Sequence, residues 1–339
     1  WYRRKIDLSP KDKGKNIYID IDGAMSYAIV WCNGRLAGGW PYGYNSFRLD
    51  LTPYIKTGEN QIAIRLDNPN YSSRWYPGAG LYRDVWLVKE NPVHIAHWCT
   101  FIHTTNVSAK AATLQLSVKL ENKSDKDKTI KAVTKVYALN DRSKMPEQSE
   151  SAFPGKSILV KAGRDTAFSD SLVISHPNLW GSYLSQKPNL YIAVTSLYVK
   201  GRKVDEYATR FGIRKVVFDP EKGVIVNGVP VRIQGVNMHS DLGALGMAFN
   251  KSAALRQLKI LKEMGCNAIR LAHNPPDPEL LNLTDSMGFM VIDEIFDCWE
   301  KGKNPLDFHL IFHDWHEADL RAMIRRDRNH PSIIEWSFG

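Results

Sequence analysis

The chain has 339 residues, 43% of them hydrophobic and 24% charged, and a formal net charge of +9. That length allows two or three domains with sizeable cores, and no run of about 18 apolar residues exists to cross a membrane as a helix. The positive charge is diluted by 36 acidic residues and is not gathered into a patch or stripe, which argues against a nucleic-acid partner.

Residues 1–90 alternate apolar and polar positions between turn signals. In WCNGRLAGG, Asn33-Gly34 separates two strand-like runs, a strong hairpin signal. FRLDLTPYIKTGENQIAIRLDN gives two more strands around Thr57-Gly58, and LYRDVWLVKE another, so a β-sandwich or jelly roll is predicted. Among its aromatics (Trp31, Trp40, Tyr42, Tyr44, Tyr71, Trp75, Tyr76), most are read as core and loop packing rather than sugar stacking. Residues 91–214 continue with VHIAHWCTFIHT, TLQLSVKLEN, TIKAVTKVYALN, LYIAVTSLYVKG and DEYATRFGIR. About seven strands in that length fit an immunoglobulin-like sandwich that serves as a spacer or packing domain. The charged stretch Lys123 to Lys131 reads as a solvated hairpin loop, and the polar tract Asn140 to Lys156 as a long loop.

Residues 215–339 change period. VIVNGVPVRIQGVN opens with a hairpin at Asn227-Gly228 whose second strand is predicted to run to Val236. A helix follows from Ser252 to Met264, with Leu255, Leu258, Leu261 and Met264 on one face and Gly265 at its end. NAIRLA is a strand. Asp277-Pro278 supplies a cap and an N1 proline for PELLNLTDSM. GFMVIDEIFD, DWHEADLRAMIRRD and SIIEW complete a strand–helix alternation, the mark of a parallel sheet with covering helices. No glycine-rich phosphate turn follows the first strand, against a doubly wound sheet. Polar residues instead gather after the strands, as in a (β/α)₈ barrel: His239 and Asp241 after the first, His273 and Asn274 after the second, Asp293 and Glu294 ending the third. Adjacent strand residues face opposite ways, so one of Asp293 and Glu294 is expected to lean into a site and the other to pair with a helix. Glu335 is expected to form a structural ion pair. The cysteines, Cys32, Cys99, Cys266 and Cys298, lack metal-ligand spacing, and a chain of this size needs no disulfide staple.

At these residues the chain resembles glycoside hydrolase family 2, most closely its β-galactosidase branch. WYRRKIDL, SSRWYPGAGLYRDVWL, RFGIRKV, GVNMHSD and NAIRLAHNPPDPELLNLTDSMGFMV carry the resemblance. So does DRNHPSIIEWSFG, which in the family continues Asn-Glu. The resemblance implies a sugar-binding jelly roll, an immunoglobulin-like sandwich and the first half of a (β/α)₈ barrel. It also implies a retaining exo-β-glycosidase acting on terminal β-galactosides. Such an enzyme uses two carboxyl groups about 5–5.5 Å apart. On the family pattern both glutamates lie beyond Gly339, so this chain is expected to be inactive by itself and to contain no catalytic residue of its own.

The resemblance assigns His239 and His273 to sugar contact in the innermost subsite, and Arg270 to pairing with the nucleophilic carboxylate, which keeps that acid ionised. Arg74, Asp241 and Asn274 are further candidates for substrate contact. No cofactor is expected. IFDCWEKG lacks the Glu-x-His through which some members bind Mg²⁺, so no metal is expected there. Leu271 stands where a small residue is usual and Asn274 where Tyr is common, which weakens the choice of galactose. β-Glucuronidase and β-mannosidase are alternatives within the family, and a non-catalytic carbohydrate-binding protein is the alternative outside it. The resemblance further implies a β-linked galactoside or related oligosaccharide as partner, a homo-oligomeric parent, and a bacterial periplasmic or secreted location.

Overall fold

The computed structural model describes residues 1–73, 78–139 and 144–339. In the N-terminal region two antiparallel sheets face each other. One has the strand order Tyr2–Leu8, Gly58–Arg65, Ala28–Cys32, Arg35–Trp40, and the other Phe47–Asp50, Asn16–Ile21, Val85–Glu90. Alternate residues such as Ile17, Ile19, Ile21, Val30, Ile62 and Ile64 fill the space between them, as the period-2 pattern requires. The hairpin joining Ala28–Cys32 to Arg35–Trp40 turns at Asn33 and Gly34, with φ of 51° and 78°. Positive φ at both central residues is what an Asn-Gly turn supplies.

The second region is also a sandwich. Val93–Thr105, Ala111–Asn122 and Arg164–Ser175 form one sheet; Lys128–Ala138, Tyr191–Val199 and Arg202–Phe211 form the other, extended by Ser151–Ala152 and Lys156–Val160. Its core includes the fully buried Leu114, Val118, Leu120, Ile130 and Leu197. The charged hairpin is shorter than expected, because Lys128 already begins a strand. Its turn is built on buried Asn122, which donates to the carbonyls of Lys126 and Val160. The polar tract is not all loop either, since Ser151–Ala152 is a strand and Lys156 begins another; residues 140–143 lie outside the described residues.

The third region begins with a small sheet, Val216–Asp219, Gly223–Val226 and Val229–Val231, whose hairpin turns at Asn227 and Gly228. Its last strand stops at Val231 and does not continue to Val236. Asn267 causes the break: its Oδ1 accepts from the Gln234 N–H at 2.8 Å and its Nδ2 donates to the Arg232 carbonyl at 2.8 Å. These bonds turn the chain before a separate parallel sheet starts. That sheet has four strands in order, β1 (Gly235–Met238), β2 (Ala268–Leu271), β3 (Met290–Glu294) and β4 (Ile333–Ser337).

Helix α1 (Lys251–Glu263) is capped by the Asn250 side chain, and α2 (Pro278–Met287) by Asp277, with Pro278 in its first turn. Gly288 closes α2 in the left-handed region at φ 76°. Helix α3 (Phe312–Asp327) follows a single 3₁₀ turn, Phe308–Leu310. Ala254, Leu258 and Leu281 from the helices pack on Ile269, Leu271, Val291 and Ile333 from the sheet. The opposite face of the sheet presents Asn237, Arg270, Ile292 and Glu335 side by side in register. This is the first half of a (β/α)₈ arrangement, with helices on one face and the barrel-lining residues on the other. Among the described residues no helix is long and apolar enough to cross a membrane.

Candidate active site

Parallel strands aim their C-terminal ends at one edge, so side chains after β1, β2, β3 and β4 meet there. Glu294, the last residue of β3, is fully buried and organises the cluster. Arg270 donates to it from Nε at 2.7 Å and from Nη2 at 2.9 Å. His273 Nδ1 lies 2.5 Å from the same carboxylate, and Ser337 Oγ on β4 donates at 2.7 Å. The His239 and His273 rings meet edge to face with centroids 5.3 Å apart. A guanidinium, two imidazoles, a hydroxyl and a carboxylate from four consecutive strands therefore converge. Such a fixed polar group can grip several hydroxyls of a pyranose.

Arg270 already has a carboxylate partner within this chain, besides the one that its sequence assignment names. The carboxylate that it holds within this chain is Glu294 on the neighbouring strand, not one from a later strand. The register explains it: Arg270 lies opposite Ile292, and Glu294 is two residues further on the same face. About a third of the Arg270 side chain remains exposed on the inner face, where a second carboxylate can approach.

Asp293 points the other way, as strand alternation demands. It is fully buried beside Asp327, which forms a two-point ion pair with Arg326 at 2.7 Å on each side. Burial pushes the Asp293 carboxyl well above the usual range, and the nearby Asp327 adds to this against the opposing Arg326. Ionised, both its oxygens would be buried without a donor; protonated, it donates to Asp327. Glu335 departs from expectation. No ion pair engages it among the described residues; the register sets it beside apolar Ile292 on the inner face, where it is exposed at the edge strand of the sheet.

Two other candidates do not join the cluster. Asp241 is exposed, and its Oδ1 accepts from the Gly243 N–H at 2.7 Å, closing a local turn. Asn274 is buried and donates to the Tyr42 hydroxyl of the first sandwich at 3.2 Å. Arg74 lies outside the described residues, as do Trp75 and Tyr76. Among the described residues no three His, Cys, Asp or Glu side chains form a metal-holding group.

The sandwich presses on the strand ends through residues that sequence reasoning left among core aromatics or mere family matches. Tyr42 donates to the Ile295 carbonyl at 2.5 Å, just past β3. Arg83 is buried and donates to the carbonyls of Tyr44 and Pro275 at 2.9 and 2.8 Å, tying the sandwich to the segment after β2. Beyond its place in the family-like stretch, the sequence signal for it was a charged residue between Tyr82 and Asp84. Tyr42, Tyr44, Asn274, Asp297 and Phe308 line a pocket at this junction.

Three models of one family match in succession. Residues 1–91 match "Glycosyl hydrolases family 2, sugar binding domain", residues 93–214 match "Glycosyl hydrolases family 2", and residues 220–339 match "Glycosyl hydrolases family 2, TIM barrel domain". The chain belongs to glycosyl hydrolase family 2. It is 43% identical to beta-galactosidase BoGH2A of Bacteroides ovatus, over 100% of this chain and 39% of that protein. It is 36% identical to a putative beta-glucuronidase of Formosa agariphila, over 100% of this chain and 31% of that protein. Among solved structures, a family 2 member from Bacteroides cellulosilyticus superposes with a TM-score of 0.91 at 34% identity, covering 100% of this chain and 43% of that one. The chain thus spans about two-fifths or less of the relatives named.

The sandwich also meets α3 through Asp319, which is fully buried. Trp40 Nε1 and Asn45 Nδ2 each donate to its Oδ1 at 2.7 Å, while its Oδ2 has no partner. Burial outweighs these bonds and pushes the carboxyl up to about 7. Because the folded pKa exceeds the unfolded 3.8, the folded state holds an extra proton between the two values. Stability therefore falls as pH rises from about 4 to 7 and then levels off, by a contribution on the order of 3–4 kcal/mol. Asp319→Asn should flatten that slope in urea melts at pH 5 and pH 8. An unchanged slope would show that Asp319 is not the group responsible.

Proposed function

We propose that the chain is the substrate-gripping part of a retaining exo-β-glycosidase acting on terminal β-galactosides. The observation that carries this reading is the convergence of His239, His273, Arg270 and Glu294 at the C-terminal strand ends. Glu294 is read as neither the acid nor the nucleophile, because it is fully buried and its oxygens already accept from Arg270 and Ser337. In this reading the two reacting glutamates come from beyond Gly339. The imidazoles hold sugar hydroxyls, and the exposed side of Arg270 steadies the nucleophile as an anion. Galactose is favoured over a uronic acid by the higher identity to a protein named beta-galactosidase. A β-glucuronide is the second reading, supported by the relative named for that activity.

The test compares this chain with a version extended through eight barrel strands on a panel of aryl β-glycosides. The extended protein should cleave the galactoside and this chain nothing. Turnover by the 339-residue chain would place the catalytic carboxylates within it, and preference for the glucuronide would replace the substrate.

A further inference from the structure

A second cleft lies where the immunoglobulin-like sandwich meets the segments before β4. It is at the opposite end of the parallel strands from the site above, since Arg328 to Pro331 precede β4. Its walls carry Arg214, Lys215, Arg328, His103 and His330, and no Asp or Glu is among the lining residues. Among the described residues the two guanidiniums hydrogen-bond to carbonyls: Arg214 donates to Ile333, and Arg328 Nη2 to Trp98 at 3.0 Å. Arg328 Nε is buried without a partner. The Arg328 guanidinium is held in place by stacking 4.7 Å over Phe101, whose ring in turn stacks on His103. Burial lowers the pKa of both arginines, that of Arg214 to about 10 against the opposing charge of Asp285, and that of Arg328 against Cys99. Asp285 is itself buried and hydrogen-bonded to His330 at 2.6 Å. A partly desolvated cluster of cations without an acid in its walls is the environment that attracts an anion.

We propose that this cleft binds a tetrahedral oxyanion, a sulfate or phosphate group, between Arg214, Lys215 and Arg328. The cations approach from two separate chain segments, and a tetrahedral group offers acceptor oxygens in several directions where a planar carboxylate offers two in one plane. The site does not depend on the glycosidase reading.

The test uses the full-length protein that carries this chain. Calorimetric titration with sodium sulfate and sodium phosphate, against sodium chloride at matched ionic strength, should show saturable binding of the oxyanions alone. A parallel titration with galactose 6-sulfate separates a free ion from an ester: tighter binding than sulfate that Arg328→Gln weakens assigns the cleft to a sulfated sugar, whereas binding that this variant leaves unchanged belongs to the strand-end site. Arg328→Gln should weaken binding about tenfold, the loss of one charge-assisted contact. Lys215→Gln, at an exposed side chain, should weaken it severalfold without disturbing the fold. Non-saturating heats, or an affinity in both variants equal to that of the unsubstituted protein, would overturn the proposal. So would a cleft occupied by a carboxylate from residues beyond Gly339.

Discussion

Glu294→Gln should lower kcat/KM of the extended protein by about a hundredfold, the typical result of misplacing reacting groups by roughly an ångström. Glutamine keeps the volume but not the charge. Its amide nitrogen is a donor, so it repels one of the N–H groups that Arg270 and His273 now aim at the carboxylate. The ring of His273, and through edge contact that of His239, then loses its fixed orientation. Glu294→Ala should in addition destabilise the chain by about 3 kcal/mol, the range for removing one partner of a buried ion pair. Chemical denaturation measures the second effect and steady-state kinetics the first. If Glu294→Gln leaves kcat/KM unchanged, the cluster is structural and does not position substrate.

The sequence revealed that one of Asp293 and Glu294 must lean toward the strand ends, because alternation is a local rule. It could not reveal which, because the choice depends on Arg270 lying one strand away and on Asp327 waiting behind the sheet. Hairpins at Asn33-Gly34 and Asn227-Gly228, and the Asp277-Pro278 helix start, were legible for the same local reason: turn and cap chemistry is written in adjacent residues. The strand predicted to reach Val236 failed because Asn267, more than thirty positions from Arg232 and Gln234, turns the chain. Nothing local announces a side chain that arrives from another element.

The contacts between the sandwich and the strand ends were the least legible. Trp40, Asn45 and Tyr42 belong to a region whose pattern accounts for them as core aromatics and loop polars. Their partners, Asp319 and Ile295, lie more than 250 positions away. Asn274 illustrates the consequence. Its place after β2 suggested sugar contact, yet its amide reaches Tyr42 and anchors the sandwich to the strand ends.

The second large effect is expected at Arg326, which ties together three parts of the molecule. It pairs with Asp327 at the end of α3, donates to Ser46 Oγ of the first sandwich at 2.8 Å, and donates to the Pro276 carbonyl after β2 at 2.9 Å. Its side chain is 4% exposed and that of Asp327 is 0%. Burial alone would discourage its charge, but the acids around it, Asp327 foremost with Asp293 and Asp22, together outweigh that. Arg326→Leu removes the cation and leaves these acids facing one another out of water. The expected loss is about 3–5 kcal/mol. The pH dependence gives the argument its sign. Without the cation the clustered carboxyls bind protons more tightly in the folded state than in the unfolded one. The variant's deficit should therefore be smaller at pH 5 and larger at pH 8. Adding Asp293→Asn should recover part of the loss at pH 8, because a neutral amide can donate to Asp327 without the proton that Asp293 must take up on folding. Denaturant melts of the two single variants and the double variant form the cycle that measures this coupling. A deficit independent of pH, or additive effects of the two substitutions, would mean that Arg326 acts through packing and its carbonyl contacts rather than by neutralising the buried acids.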